Sequence, residues 1–519
     1  AVARCRGLWL NSNGCPGAYA PGYTLTPASQ AKKLLGQSHK LARNECPEEN
    51  KRMNNQNPPA IVGRLRRDLG TLESYAALIG ILIGAGIFKV TSQAWSLTGP
   101  SVILAYALLM PAILATSVPY AAFISTPLGR EPGGEYLHIS RTSGGFGIAY
   151  IGSWLKIIAY IGAGTYLASA LADYLIEFTG RRLDPNTYHL PLAVASLLFF
   201  YIIHVIGVKW FGRIQVAMCA LLGLSIVVLV VPGLFAIQRA NYSPFVTHGP
   251  GGLLASLAPL FFSYAGFESL AQTAGEVKDS TRRLPMIFLK GISLTALIFV
   301  LMSVVAFGVL PGARLQASSA PMTEVASVYL PWGAAALVTL GAIMAITTSL
   351  NPTLIVPSRL AIIFVEDGLA PQWLGVINRR TATPVRALTL TMFACLVLLV
   401  SRQLSLALNV AVFALVVLYF LHSLTFLLLP RWNSKLYGEI TIAMPVWLQR
   451  AAAWLSVLSM GGLIVVQIIQ DTQTLRVQSF SERLSNHSLT SLELVVVWST
   501  VGAVLYALAR WRRSGSDGD

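Results

Sequence analysis

The sequence predicts an all-α membrane protein of about twelve transmembrane helices, and three observations lead to that class. Hydrophobic residues make up 54% of the 519-residue chain and charged residues only 12%, about half the charge a soluble domain carries. Apolar runs of roughly 20 residues, the length that crosses a hydrocarbon layer about 30 Å thick, recur at short spacing from residue 73 onward. Lysine and arginine fall between these runs and divide unequally between the two sides. The net charge of +16 does not point to nucleic acid, because the basic residues stand singly or in pairs without a basic face or interleaved aromatics.

The elements follow in order. Residues 1–70 are polar and lack the apolar centre of a signal peptide, so they are expected to form a disordered cytoplasmic tail. Met53 precedes a basic lead into the first span and is the expected start of the native protein. Spans are expected near 73–95, 99–124, 146–176, 189–206, 213–237, 252–275, 285–310, 332–365, 384–401, 405–430, 447–470 and 489–511. Ten of them occupy 71–430, two more occupy 431–511, and 512–519 form a short tail. With the amino terminus in the cytoplasm, Arg64, Arg66, Arg67, Arg130, Arg141, Lys209, Arg359, Arg386 and Arg510 lie inside, against Arg181, Arg182, Arg239, Arg314 and Arg476 outside. That excess puts both termini in the cytoplasm, and without an organelle signal the expected location is the plasma membrane or a bacterial inner membrane. Cys5, Cys15 and Cys46 in the leader and Cys219 and Cys395 in apolar runs form no CxxC pair, so neither a disulfide framework nor a metal site is expected.

Glycine interrupts two spans. The first reads Gly80-Ile81-Leu82-Ile83-Gly84-Ala85-Gly86-Ile87-Phe88 and the sixth Leu260-Phe261-Phe262-Ser263-Tyr264-Ala265-Gly266-Phe267-Glu268. A helix broken in mid-membrane exposes backbone N–H and C=O groups that hydrocarbon cannot satisfy. A half-helix N-terminus then offers donors to an anion and a half-helix C-terminus offers carbonyls to a cation, which together match a zwitterion. Glycines that merely permit close helix packing are the competing explanation for either span alone. Breaks in the first and sixth spans are what two five-span units of inverted topology produce, with a binding site where they meet.

The stretch Ile83-Gly84-Ala85-Gly86-Ile87-Phe88 resembles the first-span signature of the amino acid-polyamine-organocation (APC) superfamily. Ser263-Tyr264-Ala265-Gly266-Phe267-Glu268, with Gly275-Glu276-Val277-Lys278 and Arg282 to Pro285 after it, resembles its sixth-span signature and following loop. The resemblance runs from about residue 70 to about 430. It implies a ten-helix inverted-repeat, leucine-transporter-like core with two added helices, working by alternating access as a permease or exchanger of amino acids or related amines. A membrane sensor that binds the same solute without moving it is the alternative. By position, Gly84, Ala85 and Gly86 would contact the carboxylate and Ser263, Tyr264 and Ala265 the amino group, with Ile83 and Gly266 also counted among the substrate-binding residues. Phe262 sits where relatives place an occluding aromatic, or is an ordinary packing residue. Some eukaryotic relatives bind a single-span glycoprotein through a cysteine between the third and fourth spans; residues 179–189 have none, so no covalent heavy-chain partner is expected.

Ionisable and hydroxyl residues inside spans complete the candidates. A lysine at mid-bilayer costs roughly 3 kcal/mol, so Lys156 needs an explanation. It shares a helical face with Gly152, Tyr160 and Ala163, and it can pair with an acidic substrate group, replace a coupling cation by changing protonation, or snorkel to the interface. Glu268 follows the sixth-span break and either titrates during transport or braces the unwound backbone. Thr347 and Thr348, with Ser349, can complete a sodium site or bond their own backbone. Leu222 stands where some proton-coupled relatives carry a lysine, which leaves the coupling ion open between proton and sodium. His204, His422 and Asn409 are read as packing residues. No HExxH, no GxSxG and no filter-like motif is present, so neither an enzyme, a cofactor nor a channel is expected.

Overall fold

The computed structural model describes residues 67–516 except 181, 379–380, 402–403, 480–481 and 484–488. Met53, the three leader cysteines and nearly all of the expected tail lie outside the described residues.

Long apolar helices follow one another from Thr71, and no strand occurs among the described residues. They are α1 (Thr71–Leu82), α2 (Val102–Ile124), α3 (Gly147–Phe178), α4 (Pro185–Ile206), α5 (Val208–Gly233), α6 (Gly249–Phe261), α7 (Ser280–Val309), α8 (Trp332–Glu366), α9 (Val385–Val400), α10 (Leu404–Trp432), α11 (Val446–Val477) and α12 (Ser491–Ser516). Eleven membrane spans of adequate length and apolarity are built on these helices. The twelfth element, α9, is equally apolar but has 16 residues, which is why it falls short of the expected 384–401 span.

Local chemistry sets the ends and bends. Asp184 starts α4 by accepting from the amides of Asn186 and Thr187, with Pro185 in the first turn where its missing N–H costs nothing. The Thr187 hydroxyl also donates to Asp184 and holds its carboxyl below the usual range. Pro352 inside α8 cannot donate to the carbonyl of Thr348 four residues back. The Gln215 amide of α5 takes that orphaned carbonyl at 2.9 Å, so a helix defect becomes an interhelical bond.

Helix α3 lies at the centre, packed on α8 and α10, while α1 packs on α5, α7 and α8. Most of α3 is buried inside the protein, whereas α12 is largely exposed along its length. Just before α1, Leu69 exchanges backbone bonds with Glu276 (3.0 Å) and Lys278 (2.9 Å), tying the entry of the first span to the loop that follows the sixth.

Candidate functional site

The first span stops being helical at Ile83. Ile83 adopts φ −85° and ψ 84°, and Gly84 N–H turns back to Leu82 C=O at 3.1 Å, an inverse γ-turn in the middle of the membrane. A wide π turn over Gly86–Val90 resumes the climb. Across this junction the amides of Ala85 and Gly86 make no backbone hydrogen bond.

The sixth span breaks in the complementary sense. After α6 a single tight turn, Phe262–Tyr264, runs into extended Ala265 at ψ 151° and then Gly266 at φ 104°, a conformation that only glycine adopts without strain. A short helix, Ser269–Gln272, follows. The carbonyls of Ser263, Tyr264 and Ala265 accept no backbone hydrogen bond. Helix α6 is therefore followed by carbonyls without backbone partners, as the first span has amides without them.

The two breaks touch. A Cβ added to Gly86 would lie 2.5 Å from the Cα of Ser263, and one added to Gly84 would lie 2.2 Å from the Ser349 hydroxyl on α8. Glycine at both positions is required by this approach of backbone to backbone and backbone to side chain. Beside the contact sits a small cavity of about 30 Å³ lined by Gly84, Ala85, Gly86, Phe262, Ala265 and Gly266, with Tyr160, Ala163 and Leu167 of α3, Ser349 and Thr353 of α8, and Leu415 of α10. Its walls away from the breaks carry only the hydroxyls of Tyr160, Ser349 and Thr353 as polar side-chain groups.

Other sequence candidates lie elsewhere. Ile83 is buried in the core. Ser263 and Tyr264 turn toward α2, where the Tyr106 hydroxyl bonds Ser263 Oγ at 2.9 Å and the Tyr264 hydroxyl donates to the Tyr106 carbonyl at 3.2 Å. Phe262 lines the cavity and meets Tyr166 edge-on, with centroids 5.5 Å apart. Thr347 bonds its own helix at Met344. Thr348 bonds its own helix at Ala345 C=O at 2.8 Å and also reaches α1 at Gly80 C=O at 3.1 Å, and Ser349 donates to Gly80 C=O at 2.8 Å and Ile81 C=O at 3.0 Å.

Glu268 braces the break. One carboxylate oxygen accepts from the Tyr160 hydroxyl at 2.7 Å; the other accepts from Gly266 N–H at 3.0 Å and from the Tyr419 hydroxyl. These bonds join the unwound sixth segment to α3 and α10. Lys156 is not among the residues lining the cavity and forms a fully buried ion pair with Glu135, its Nζ 2.9 Å from both carboxylate oxygens. The Gln272 amide at 2.6 Å and the Tyr120 hydroxyl at 2.7 Å complete the shell of Glu135. Lys156 thus neither snorkels nor faces the cavity, because a buried acid from the loop between α2 and α3 compensates it.

Glu135, Tyr106, Gln215 and Tyr419 were not singled out from the sequence. Glu135 has the clearest retrospective signal, an acid directly after Gly133-Gly134 in a short loop. Gln215, rather than Leu222, is the α5 side chain that reaches α1 and α8: its amide also donates to Ala76 C=O at 3.2 Å, and Asn351 donates to its Oε1 at 2.9 Å. Among the described residues no group of three or more His, Cys, Asp or Glu is placed to hold a metal.

A family model described as amino acid permease matches residues 69–481. The chain is 27% identical over 348 residues to the vacuolar cationic amino acid transporter 4 of Arabidopsis thaliana, covering 62% of this chain and 56% of that protein. It is 27% identical over 343 residues to the methylthioribose transporter of Bacillus subtilis (strain 168), covering 63% and 73%. It is 26% identical over 337 residues to the branched-chain amino acid permease BcaP of the same organism, covering 62% and 71%. The chain thus spans little more than half the length of the first of these relatives.

Proposed function

Because this chain belongs to the amino acid permease family, we propose that it is a secondary transporter that moves a small neutral amino acid across the membrane by alternating access. The observation that carries this reading is that backbone groups of opposite polarity without backbone partners belong to residues around one small cavity: the amides of Ala85 and Gly86 in the first span, and in the sixth the carbonyl of Ala265, preceded by those of Ser263 and Tyr264. The amides take the substrate carboxylate and the carbonyls take its ammonium. Coulombic pairing inside a dry cavity does not need charged side chains, since the dipoles are already oriented.

The side-chain end of the cavity favours a neutral, apolar substrate. Ala163, Leu167, Thr353 and Leu415 line it, and the nearby acid Glu268 has both oxygens engaged by Tyr160, Tyr419 and Gly266. Phe262 with Tyr166 closes one side, and the bridge of Leu69 to Glu276 and Lys278 closes the entry of the first span. Opening on either side is a rearrangement of these contacts around the fixed breaks. The inverted repeat of the first ten spans and the role of α11 and α12 as additions are part of this reading.

Counterflow in proteoliposomes tests it. Vesicles loaded with unlabelled leucine, valine or alanine should accumulate the labelled amino acid, and arginine should compete poorly. Binding without flux would make the protein a sensor, and preferred competition by arginine would overturn the neutral-substrate assignment.

A further inference from the structure

A second and far larger cleft, of about 740 Å³, opens between α3, α8, α9 and α12, away from the cavity at the breaks. Its apolar body includes Phe364 of α8, Leu390 and Ala394 of α9, and Leu508 of α12. At its floor Trp154 and Trp498 stack with centroids 4.6 Å apart, and each indole N–H donates to the other residue's carbonyl at 2.8 Å. Both indoles are therefore satisfied, and what they turn to the cleft is apolar ring. Leu390 and Leu508 are about half exposed, so the cleft opens on the face that membrane helices present to lipid.

One end of the cleft has different chemistry. The segment from Gly368 to Leu374 forms its rim, and the exposed Arg386 in the first turn of α9 reaches the Trp373 carbonyl on that rim at 3.5 Å. Arg510, also exposed, follows the lining residue Ala509 on α12. Trp373 and Trp511 are exposed at the same end, the placement of tryptophan at the level of lipid headgroups. Asp367, which follows α8, is already paired with Arg141, and among the described residues neither Arg386 nor Arg510 is in an ion pair with a carboxylate.

We propose that this cleft is a binding site for one anionic phospholipid, with an acyl chain in the apolar body and the phosphate at Arg386 and Arg510. An apolar void of this size on the lipid face does not stay empty, and the molecules that reach it in a bilayer are lipids. The paired cations at the headgroup level select among them for negative charge. The site goes beyond the transport reading, yet it bears on it: α3 and α8, which form two of its walls, also carry Tyr160, Ala163, Leu167, Ser349 and Thr353 of the small cavity.

The test uses the full chain, delipidated in detergent and titrated with phosphatidylglycerol or phosphatidylcholine of matched chains, read by native mass spectrometry and thermal melting. One phosphatidylglycerol per chain should bind at least about tenfold more tightly than phosphatidylcholine, and the Arg386→Ala/Arg510→Ala pair should weaken it by about thirtyfold. Ala394→Trp should fill the body and remove both lipids; if that variant does not yield a monodisperse protein, Leu390→Trp, at a half-exposed position of the same body, serves in its place. Arg239→Ala/Arg476→Ala, which removes exposed arginines far from the cleft in sequence, should leave binding unchanged. Equal affinity for the two lipids, displacement of phosphatidylglycerol by a neutral sterol, or equal loss in the control pair would overturn the proposal.

Discussion

Lys156 and Glu135 are the residues whose energetics are most exposed to test. Both are fully buried, and a buried ion pair is weak evidence for stability while its half-removal leaves an uncompensated charge. Lys156→Met should lower the unfolding free energy in detergent by about 3–5 kcal/mol, and Lys156→Met/Glu135→Gln should recover most of that loss. A single variant as stable as the wild type would mean that Glu135 is not held as a charge. His138, in the loop helix Glu135–Ser143, supplies a pH dependence outside the spans. Burial, with Lys156 adding to it, pushes His138 down from 6.5 to about 3, and its ring nitrogen meets His422 at 2.9 Å. A depressed histidine is neutral when folded and charged when unfolded, so its contribution is fully present above pH 6.5 and fades as pH falls toward 3. Between pH 7 and pH 5 the wild type should lose about 2 kcal/mol through this group. Melting curves of His138→Gln across that range should show a shallower fall, and an unchanged slope would exclude this histidine as the source.

At the scale of elements, the breaks of the first and sixth spans are fitted to each other and to α8. Gly84→Ala should drive its new methyl into the Ser349 hydroxyl, and Gly86→Ala into the backbone of Ser263. The two clashes differ in kind. A side chain can be trimmed, so Gly84→Ala/Ser349→Gly should regain a large share of the transport lost in Gly84→Ala, while Gly86→Ala should abolish transport and resist rescue by Ser263→Gly. Uptake normalised to folded protein measures both, and a Gly86→Ala variant with wild-type flux would separate the two breaks. The same geometry changes what a bulky substitution at Gly84 means: it strikes α8 before it fills the cavity, so lost binding alone would not locate the carboxylate.

For the whole molecule, the cavity of about 30 Å³ takes its walls from the first and sixth segments and from α3, α8 and α10. A substrate held by all of these should stabilise the folded chain as one unit. At a hundredfold excess over its dissociation constant a true ligand adds about 2.7 kcal/mol. Leucine or valine should therefore raise the melting temperature by several degrees while arginine does not, and the reverse order would contradict the apolar lining.

Span number, span order and the positions of the two breaks were legible in the sequence because each depends on local composition set against a uniform slab of hydrocarbon. Gly84, Ala85, Gly86, Phe262, Ala265 and Gly266 stood out for that reason, and the structure brings them around one cavity. What tertiary structure alone decided is which partner each polar side chain meets. Ser349 finds the carbonyl of Gly80 across 269 residues, Tyr419 finds Glu268 across 151, and Lys156 pairs with Glu135 across 21. Hydrocarbon leaves a buried polar group no water to fall back on, so its role follows from the nearest complementary group in space, and periodicity along one helix carries no record of which helix that will be.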